Sequence, residues 1–166
     1  GVDTNIFKPM LKTNLYDVLY IGRLLPVKGI DTLIDALELS SIKFKVAIAG
    51  IGPMEAELKA RVNEKGLEEY IEFLGYVPDA DLPNLYASPK VIALPSKDRE
   101  GSLTTLLEAA ACRKPIVTTT AGSMSEFITD GINGRLVPPD TPEELSSVIQ
   151  NMLSDQQMLD ELSDNS

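Results

Sequence analysis

The chain has 166 residues, a length typical of one compact domain. Apolar residues make up 43% of it and charged residues 24%, which excludes a mainly disordered chain. No apolar run approaches the roughly 18 residues that a transmembrane helix needs. The net charge of −10 disfavours broad binding to nucleic acids or anionic membranes, but it leaves room for a small anion in a local basic pocket.

The residue types present also exclude several kinds of site. Cys112 is the one cysteine and the chain has no histidine, which excludes an intrachain disulfide, a Cys/His zinc cluster and a His-dependent triad. The start, Gly1-Val2-Asp3, has no signal-peptide pattern, so we expect a cytoplasmic protein. This start reads like a cut inside a longer protein, and residues 1–15 are expected to form a hinge or linker from a missing N-terminal domain.

Short apolar strands alternate with amphipathic helices along residues 16–154. Helices are predicted between the strands and after Thr141-Pro142, while the polar tail at 155–166 is predicted to fray. The alternation predicts an α/β fold, a doubly wound parallel sheet of the Rossmann-like type, with ligands at the carboxyl ends of the strands. Six buried strands are predicted, at 18–21, 46–49, 71–74, 91–94, 115–118 and 134–137.

A glycine pair, Gly50-x-Gly52, follows the second strand and opens a helix in which Pro53 is expected at the first position. The pair suggests a dinucleotide fingerprint, but the third glycine of that pattern would fall at position 55, which is Glu55. A carboxylate there would repel a pyrophosphate, so we interpret the pair as a tight turn. A nicotinamide-dependent dehydrogenase is the disfavoured alternative.

Two cations, Arg23 and Lys28, lie in the loop after the first strand of an otherwise acidic chain. Arginine offers a planar fork for phosphate oxygens and lysine a point charge, while Gly29 would let the backbone approach closely. The pattern therefore indicates a phosphate site. Two solvated loop cations are the alternative that spacing alone leaves open.

Glu100 and Glu108 flank the start of the helix after the fourth strand. Eight residues of helix span roughly 12 Å, more than the roughly 5–9.5 Å between the two carboxylates of a glycosidase. We therefore interpret them as two contacts to one long ligand, with a solvated helix face as the alternative for Glu108. The free amides of the helix N-terminus, from Gly101 to Thr104, would bind an anion between them.

Asp79-Ala80-Asp81 has the Asp-x-Asp pattern that holds a metal and a nucleotide diphosphate in some transferases. It precedes a short helix predicted at 82–87, so N-capping is the preferred interpretation and no metal site is expected. Cys112 lies on a predicted helix without a histidine partner, so we expect no catalytic nucleophile there.

Together these motifs resemble the family-4 retaining glycosyltransferases, the group 1 type, in which two Rossmann-like domains face each other in the GT-B fold. The resemblance covers nearly the whole chain, which would be the C-terminal, donor-binding half. Gly101-Ser102-Leu103 replaces the Gly-Phe-Gly of many members, so the resemblance does not specify which sugar is transferred. The six motifs, in the family's order, are Gly1-Val2-Asp3 with Phe7; Gly22-Arg23-Leu24 with Lys28-Gly29; 49–53; 73–77; Pro95-Ser96 with the Glu-x7-Glu signature Glu100–Glu108 and 115–117; and 130–134 with 137–138.

The resemblance implies a role for each candidate residue. Arg23 and Lys28 would neutralise the donor diphosphate, and Glu100 would bind hydroxyls of the transferred sugar. Glu108 would bind the ribose hydroxyls, while the backbone at Val77 would read the base. The remaining donor contacts would fall on Gly22, Gly101, Ser102, Leu103 and Thr104.

The implied reaction transfers a hexose from a nucleoside-diphosphate sugar with retention and without a metal or other cofactor. Two cations and a helix N-terminus would stabilise the charge that develops on the leaving diphosphate. The acceptor, a glycan, lipid or small molecule, would bind the missing N-terminal domain, so the isolated piece would bind donor weakly and transfer nothing. Any peripheral attachment to the inner membrane face would also lie in that missing domain.

Two other functions stay open at this point. A non-catalytic nucleotide-sugar-binding module would use the same binding residues as the enzyme. A sugar-nucleotide epimerase of the same fold would need several acid/base groups near the sugar, and the lack of histidine disfavours it.

Overall fold

A six-stranded parallel sheet forms the centre of the computed structural model, which describes residues 2–9, 15–98 and 103–166. In the sheet the strands are ordered β3-β2-β1-β4-β5-β6, and every neighbouring pair is parallel. This order confirms the predicted doubly wound fold, since the chain moves outward from β1 to β3 and then returns to the other side of β1. The strands are β1 Tyr16–Ile21, β2 Val46–Ala49, β3 Ile71–Gly75, β4 Pro89–Leu94, β5 Ile116–Thr119 and β6 Arg135–Val137.

Helices cover both faces of the sheet, because successive strand residues point to opposite faces and both sets are apolar. Val18 and Tyr20 pack in one cluster with α1, α2, α5 and α6, whereas Leu19 and Ile92 pack in the clusters that hold α3 and α4. The helices are α1 Ile30–Leu39, α2 Glu55–Glu64, α3 Leu82–Ala87, α4 Leu103–Ala111, α5 Pro142–Ser154 and α6 Gln156–Asn165.

Two details of the predicted helices differ in the structure. Pro53 was expected at the first helical position, but α2 begins at Glu55 and the backbone of Met54 forms its N-cap. Pro53 therefore belongs to the turn before the helix. Of the helices predicted between the strands, the one between β5 and β6 is a short 3₁₀ helix, Gly122–Glu126.

The polar tail expected to fray over 155–166 forms α6 instead. The Asp155 side chain accepts a hydrogen bond of 3.0 Å from the Met158 amide, which caps the helix N-terminus. Leu159 and Leu162, three residues apart on one face, are 4% and 1% exposed in the cluster that also holds α5. This packing outweighs the polar composition of the segment. The predicted hinge at 1–15 includes residues 1 and 10–14, which lie outside the described residues, and it stays a prediction.

A cluster of charges joins α1 to α2 and gives the fold a testable pH dependence. Arg61 binds Asp35 through Nε and Nη2, at 3.0 and 2.8 Å, and Lys65 Nζ lies 3.4 Å from Asp35 Oδ1. Burial raises the pKa of the Asp35 carboxyl, but the hydrogen bonds and charges of Arg61 and Lys65 outweigh it and lower the pKa below its usual value. A carboxyl with a lowered pKa in the folded state stabilises the fold above its unfolded pKa, and this contribution is lost as the pH falls through the folded value.

We therefore expect Asp35→Asn to lower the free energy of unfolding at pH 7 by about 1 kcal/mol, because partly exposed ion pairs contribute little more. The difference between variant and wild type should vanish towards pH 2. Urea unfolding at pH 7, 4 and 2.5 measures it, with Asp164→Asn on the exposed side of α6 as the control. A difference that stays constant across these pH values would contradict the assignment.

Candidate functional site

A pocket of about 230 Å³ lies at the carboxyl ends of the first three strands. Gly22 and Arg23 from the loop after β1 line it together with Tyr76 and Val77 from the loop after β3. Three predicted site residues from two separate loops, Gly22, Arg23 and Val77, therefore share one pocket. A larger pocket of about 510 Å³ lies at the amino ends of the strands, beside Asp17 and Tyr70, but it contains none of the predicted site residues.

The glycine pair after β2 packs against the loop after β1. Gly50 has a φ of +134°, and a Cβ built on it would lie 1.8 Å from the Gly22 carbonyl oxygen. A Cβ on Gly52 would lie 2.6 Å from the Leu24 carbonyl oxygen. This contact between two backbones accounts for both glycines without a dinucleotide, in agreement with the tight-turn interpretation. It also fixes where the loop that carries Arg23 can lie.

A buried side chain holds the backbone of Arg23 in place, while the Arg23 side chain is exposed. The hydroxyl of Tyr20, a side chain that is 1% exposed, donates a 2.8 Å hydrogen bond to the Arg23 carbonyl. Within the described part of the chain, the Arg23 guanidinium forms no ion pair. Arg23 is exposed and lines the pocket, so an anion in the pocket could reach the N–H donors of its guanidinium.

Lys28 ends the 3₁₀ helix Pro26–Lys28, and the loop then turns sharply at Gly29. Gly29 has a φ of +71°, and a Cβ there would lie 1.8 Å from the Pro95 carbonyl oxygen. The close approach predicted for Gly29 is therefore made to the residue that follows β4. This contact brings the loop of Lys28 next to the chain that leads to Glu100.

Lys97, which the sequence analysis did not single out, connects three loops at this edge of the sheet. Its amide donates to the Val27 carbonyl at 2.7 Å, while its ammonium lies 2.8 Å from Asp31 Oδ2 and 3.1 Å from Asp140 Oδ1. Burial lowers the pKa of the Lys97 ammonium, but its hydrogen bonds to the two carboxylates outweigh this and raise the pKa above its usual value. The sequence did offer one signal for this cluster, because Lys97, Asp31 and Asp140 each lie in a segment that follows a strand.

Glu108 is half-buried on α4. The alternative interpretation, in which it lies on a solvated helix face, was therefore wrong. Its Oε2 accepts a hydrogen bond of 2.7 Å from the hydroxyl of Tyr86 on α3. Leu103 and Thr104 form the first turn of α4, as the predicted anion site requires. Glu100, Gly101 and Ser102, the other predicted residues of this loop, lie outside the described residues.

Asp79, Asp81 and Cys112 were considered as parts of alternative sites. Asp79 and Asp81 lie in a 3₁₀ helix before α3, and Asp81 occupies the N-cap position of α3, as the N-capping interpretation predicts for one of the pair. Its side chain makes no capping hydrogen bond, so that part of the interpretation was wrong. Among residues 2–9, 15–98 and 103–166, no three Cys, Asp or Glu side chains lie close enough to hold a metal ion. Burial raises the pKa of the Cys112 thiol to about 11, as suits a packed thiol rather than a nucleophile.

The helices were also compared with the dimensions of a bilayer. None of the helices in the described part of the chain has both the length and the apolar character that crossing a membrane requires.

Comparison with curated proteins gives relatives of one kind. The chain is 26% identical over 151 residues to the alpha-D-kanosaminyltransferase of Streptomyces kanamyceticus, with 89% of this chain and 39% of that protein covered. It is 32% identical over 158 residues to the D-inositol 3-phosphate glycosyltransferase of Jonesia denitrificans, with 87% and 36% covered. The chain thus spans well under half the length of these relatives.

Solved structures share the fold over nearly the whole chain. HepE of Anabaena in complex with UDP and glucose superposes with a TM-score of 0.90 at 29% identity, covering 99% of this chain and 49% of that one. The C-terminal domain of the group 1 glycosyl transferase LpcC from Francisella tularensis gives 0.89 at 24% identity, covering 99% and 94%. These neighbours confirm the predicted Rossmann-like domain of the GT-B type. The family model for glycosyl transferases group 1 matches residues 2–166, and the chain therefore belongs to the group 1 glycosyltransferases.

Proposed function

We propose that this chain is the donor-binding domain of a retaining glycosyltransferase, which transfers a hexose from a nucleoside-diphosphate sugar to an acceptor held by a separate domain. The observation that carries the proposal is the pocket in which Arg23 and Val77 meet at the carboxyl ends of the central strands. Family membership supports it, as do the structures of Anabaena HepE with UDP and with UDP-glucose. The acceptor would be a glycan, a lipid or a small molecule.

Each candidate residue, in the pocket or beside it, would bind one part of the donor. The backbone at Val77 would contact the base on the apolar side of the pocket, and Glu108 would bind the ribose hydroxyls. Arg23 and Lys28, on the loop after β1, would bind the diphosphate. Glu100, on the loop after β4, would bind hydroxyls of the transferred sugar, beside the backbone amides of Leu103 and Thr104.

The chemistry assigned to these residues is stabilisation of a leaving group. Breaking the bond between sugar and phosphate builds negative charge on the diphosphate, and cations already placed there stabilise that charge without reorganising. Arg23 offers a planar fork and Lys28 a point charge, which together can neutralise two phosphates. For this reason we propose a reaction that needs no metal ion and no other cofactor.

The acceptor side is assigned to another domain because the pocket lies on one sheet edge and opens to solvent. We therefore propose that the isolated chain binds donor without transferring the sugar. We also propose that it works in the cytoplasm, since its single cysteine makes no use of an oxidising compartment.

Calorimetric titration of the chain with UDP, GDP and ADP tests the proposal. One nucleotide should bind saturably, and the double variant Lys28→Ala, Glu108→Ala should bind it at least about 100-fold more weakly, because two charge-assisted hydrogen bonds are lost. The double variant Lys45→Ala, Glu69→Ala removes the same charges at the amino ends of the strands and should bind normally. Binding that survives in the first variant, or no binding of any nucleotide to the folded wild type, would refute the assignment.

A further inference from the structure

Tyr86 is a buried tyrosine whose hydroxyl serves a candidate ligand-binding group. Its side chain is 0% exposed, and its hydroxyl donates a hydrogen bond of 2.7 Å to Glu108 Oε2. Burial, and to a smaller extent the carboxylate of Glu108, raise the pKa of the Tyr86 phenol far above its usual value. The hydroxyl is therefore protonated at neutral pH and acts as a donor.

This hydrogen bond occupies one of the two carboxylate oxygens. The other oxygen of Glu108, Oε1, accepts no hydrogen bond from any residue in the described ranges. A glutamate side chain has three rotatable bonds, so an unattached carboxylate on α4 would sample several directions. Attachment to a buried phenol restricts those directions, and it leaves Oε1 as the acceptor for a ligand.

The Tyr86 ring packs in a cluster that reaches the pocket. Phe7, from the segment at residues 2–9, meets the ring edge-on, with the ring centroids 5.8 Å apart and an angle of 86° between the planes. Leu82, one turn earlier on α3, packs against the same cluster and also lines the pocket that contains Arg23. Ile21 likewise belongs to both the cluster and the pocket. Tyr86 thus fixes Glu108 relative to the pocket wall.

We propose that Tyr86 is a positioning residue, which holds Oε2 of Glu108 so that Oε1 is directed at the ribose hydroxyls of a bound nucleoside diphosphate. The proposal rests on the proposed function, because it requires a nucleotide at this edge of the sheet. It also predicts how the effect of Tyr86 depends on the ligand. The Tyr86 hydroxyl should contribute to binding only where the ligand carries a ribose hydroxyl for Glu108 to accept.

Titration with matched pairs of nucleotides tests whether the effect of Tyr86 depends on a ribose hydroxyl. UDP with 2′-deoxy-UDP, GDP with 2′-deoxy-GDP and ADP with 2′-deoxy-ADP are titrated into the wild type and into Tyr86→Phe, which removes one oxygen atom. The wild type should prefer the ribonucleotide of the pair it binds. The ratio of ribonucleotide affinity to deoxynucleotide affinity should be about 5–10-fold smaller in the variant, which is the effect of one hydrogen bond. Affinity for the deoxynucleotide should stay within about twofold.

Tyr16→Phe is the matched control, because the Tyr16 hydroxyl also donates to a glutamate, Glu72 Oε2, at 2.8 Å. That pair lies at the amino ends of the strands, so the preference should not change. If Tyr86 acts through Glu108, adding Tyr86→Phe to Glu108→Ala should cause no further loss of preference. Glu108→Ala leaves the buried Tyr86 hydroxyl without its partner, whereas the double variant removes both groups, so the folding of Glu108→Ala is checked before the two are compared.

The outcomes separate the two proposals. If the wild type binds a nucleoside diphosphate and Tyr86→Phe keeps the full preference for ribose, the positioning role is overturned while the proposed function stands. A further loss of preference when Tyr86→Phe is added to Glu108→Ala also overturns it. If the folded wild type binds none of the six nucleotides, the proposed function fails and takes this inference with it.

Discussion

Replacing Gly50 with alanine is expected to lower the free energy of unfolding by about 3–5 kcal/mol. An L-residue at a φ of +134° is strained, and the new Cβ would lie 1.8 Å from the Gly22 carbonyl oxygen. The conflict is between two backbones, so no side-chain rotation can relieve it. The loop after β1 would have to move away from the turn after β2, and Arg23 would move with that loop.

Urea unfolding of wild type and variant measures this loss, and Gly66→Ala is the control. Gly66 has a φ of +66°, but a Cβ there would meet nothing within 4 Å. It therefore isolates the conformational cost of an alanine, about 1 kcal/mol, from the cost of the backbone clash. Equal losses in the two variants would mean that the two loops are not in close contact.

The strands were predictable because a parallel sheet covered on both faces needs continuous apolar runs. The predicted strand at 46–49 has the observed bounds, and all four of its residues are buried. Ile30, Leu33, Ile34 and Leu37, which recur at helical spacing in the sequence, likewise form part of the buried face of α1. In each case a local pattern in the sequence was sufficient, since these residues are buried in the hydrophobic clusters of the sheet.

The tail was not predictable in the same way. Only Leu159 and Leu162 are deeply buried among its hydrophobic residues, and their burial depends on the cluster that also contains α5. Asp81 shows a different limit. It occupies the N-cap position of α3, as its place before the helix predicts, but a side-chain cap also requires a backbone conformation that the local pattern does not specify.

Some features of the candidate site were also predictable from the sequence and others were not. Arg23 and Val77 each follow a predicted strand, and the fold class alone brings the carboxyl ends of parallel strands together. The partners of Lys97 and Glu108 could not be predicted, because they lie 66 and 22 residues away in the chain at Asp31 and Tyr86. Which polar residues meet across loops depends on loop geometry, which one sequence does not specify.

Arg23→Ala is expected to have the largest effect on function with almost no effect on stability. The guanidinium is exposed and forms no ion pair with a residue of the described ranges, so its removal should change the free energy of unfolding by less than about 0.5 kcal/mol. If it binds the diphosphate, its loss should weaken nucleoside diphosphate binding about 10–100-fold. In the complete transferase, kcat should fall about 100–1000-fold, because the leaving group loses a stabilising charge.

Calorimetry with the nucleoside monophosphate and diphosphate of the preferred base separates this role from general loss of affinity. Arg23→Ala should weaken diphosphate binding far more than monophosphate binding, whereas Arg135→Ala, which removes the same charge from β6, should weaken neither. Arg23→Lys should fall between wild type and Arg23→Ala, since it keeps the charge but loses the planar fork. Equal weakening of both nucleotides by Arg23→Ala would place the arginine away from the terminal phosphate, and the charge that stabilises the leaving group would then have to come from Lys28 and the start of α4.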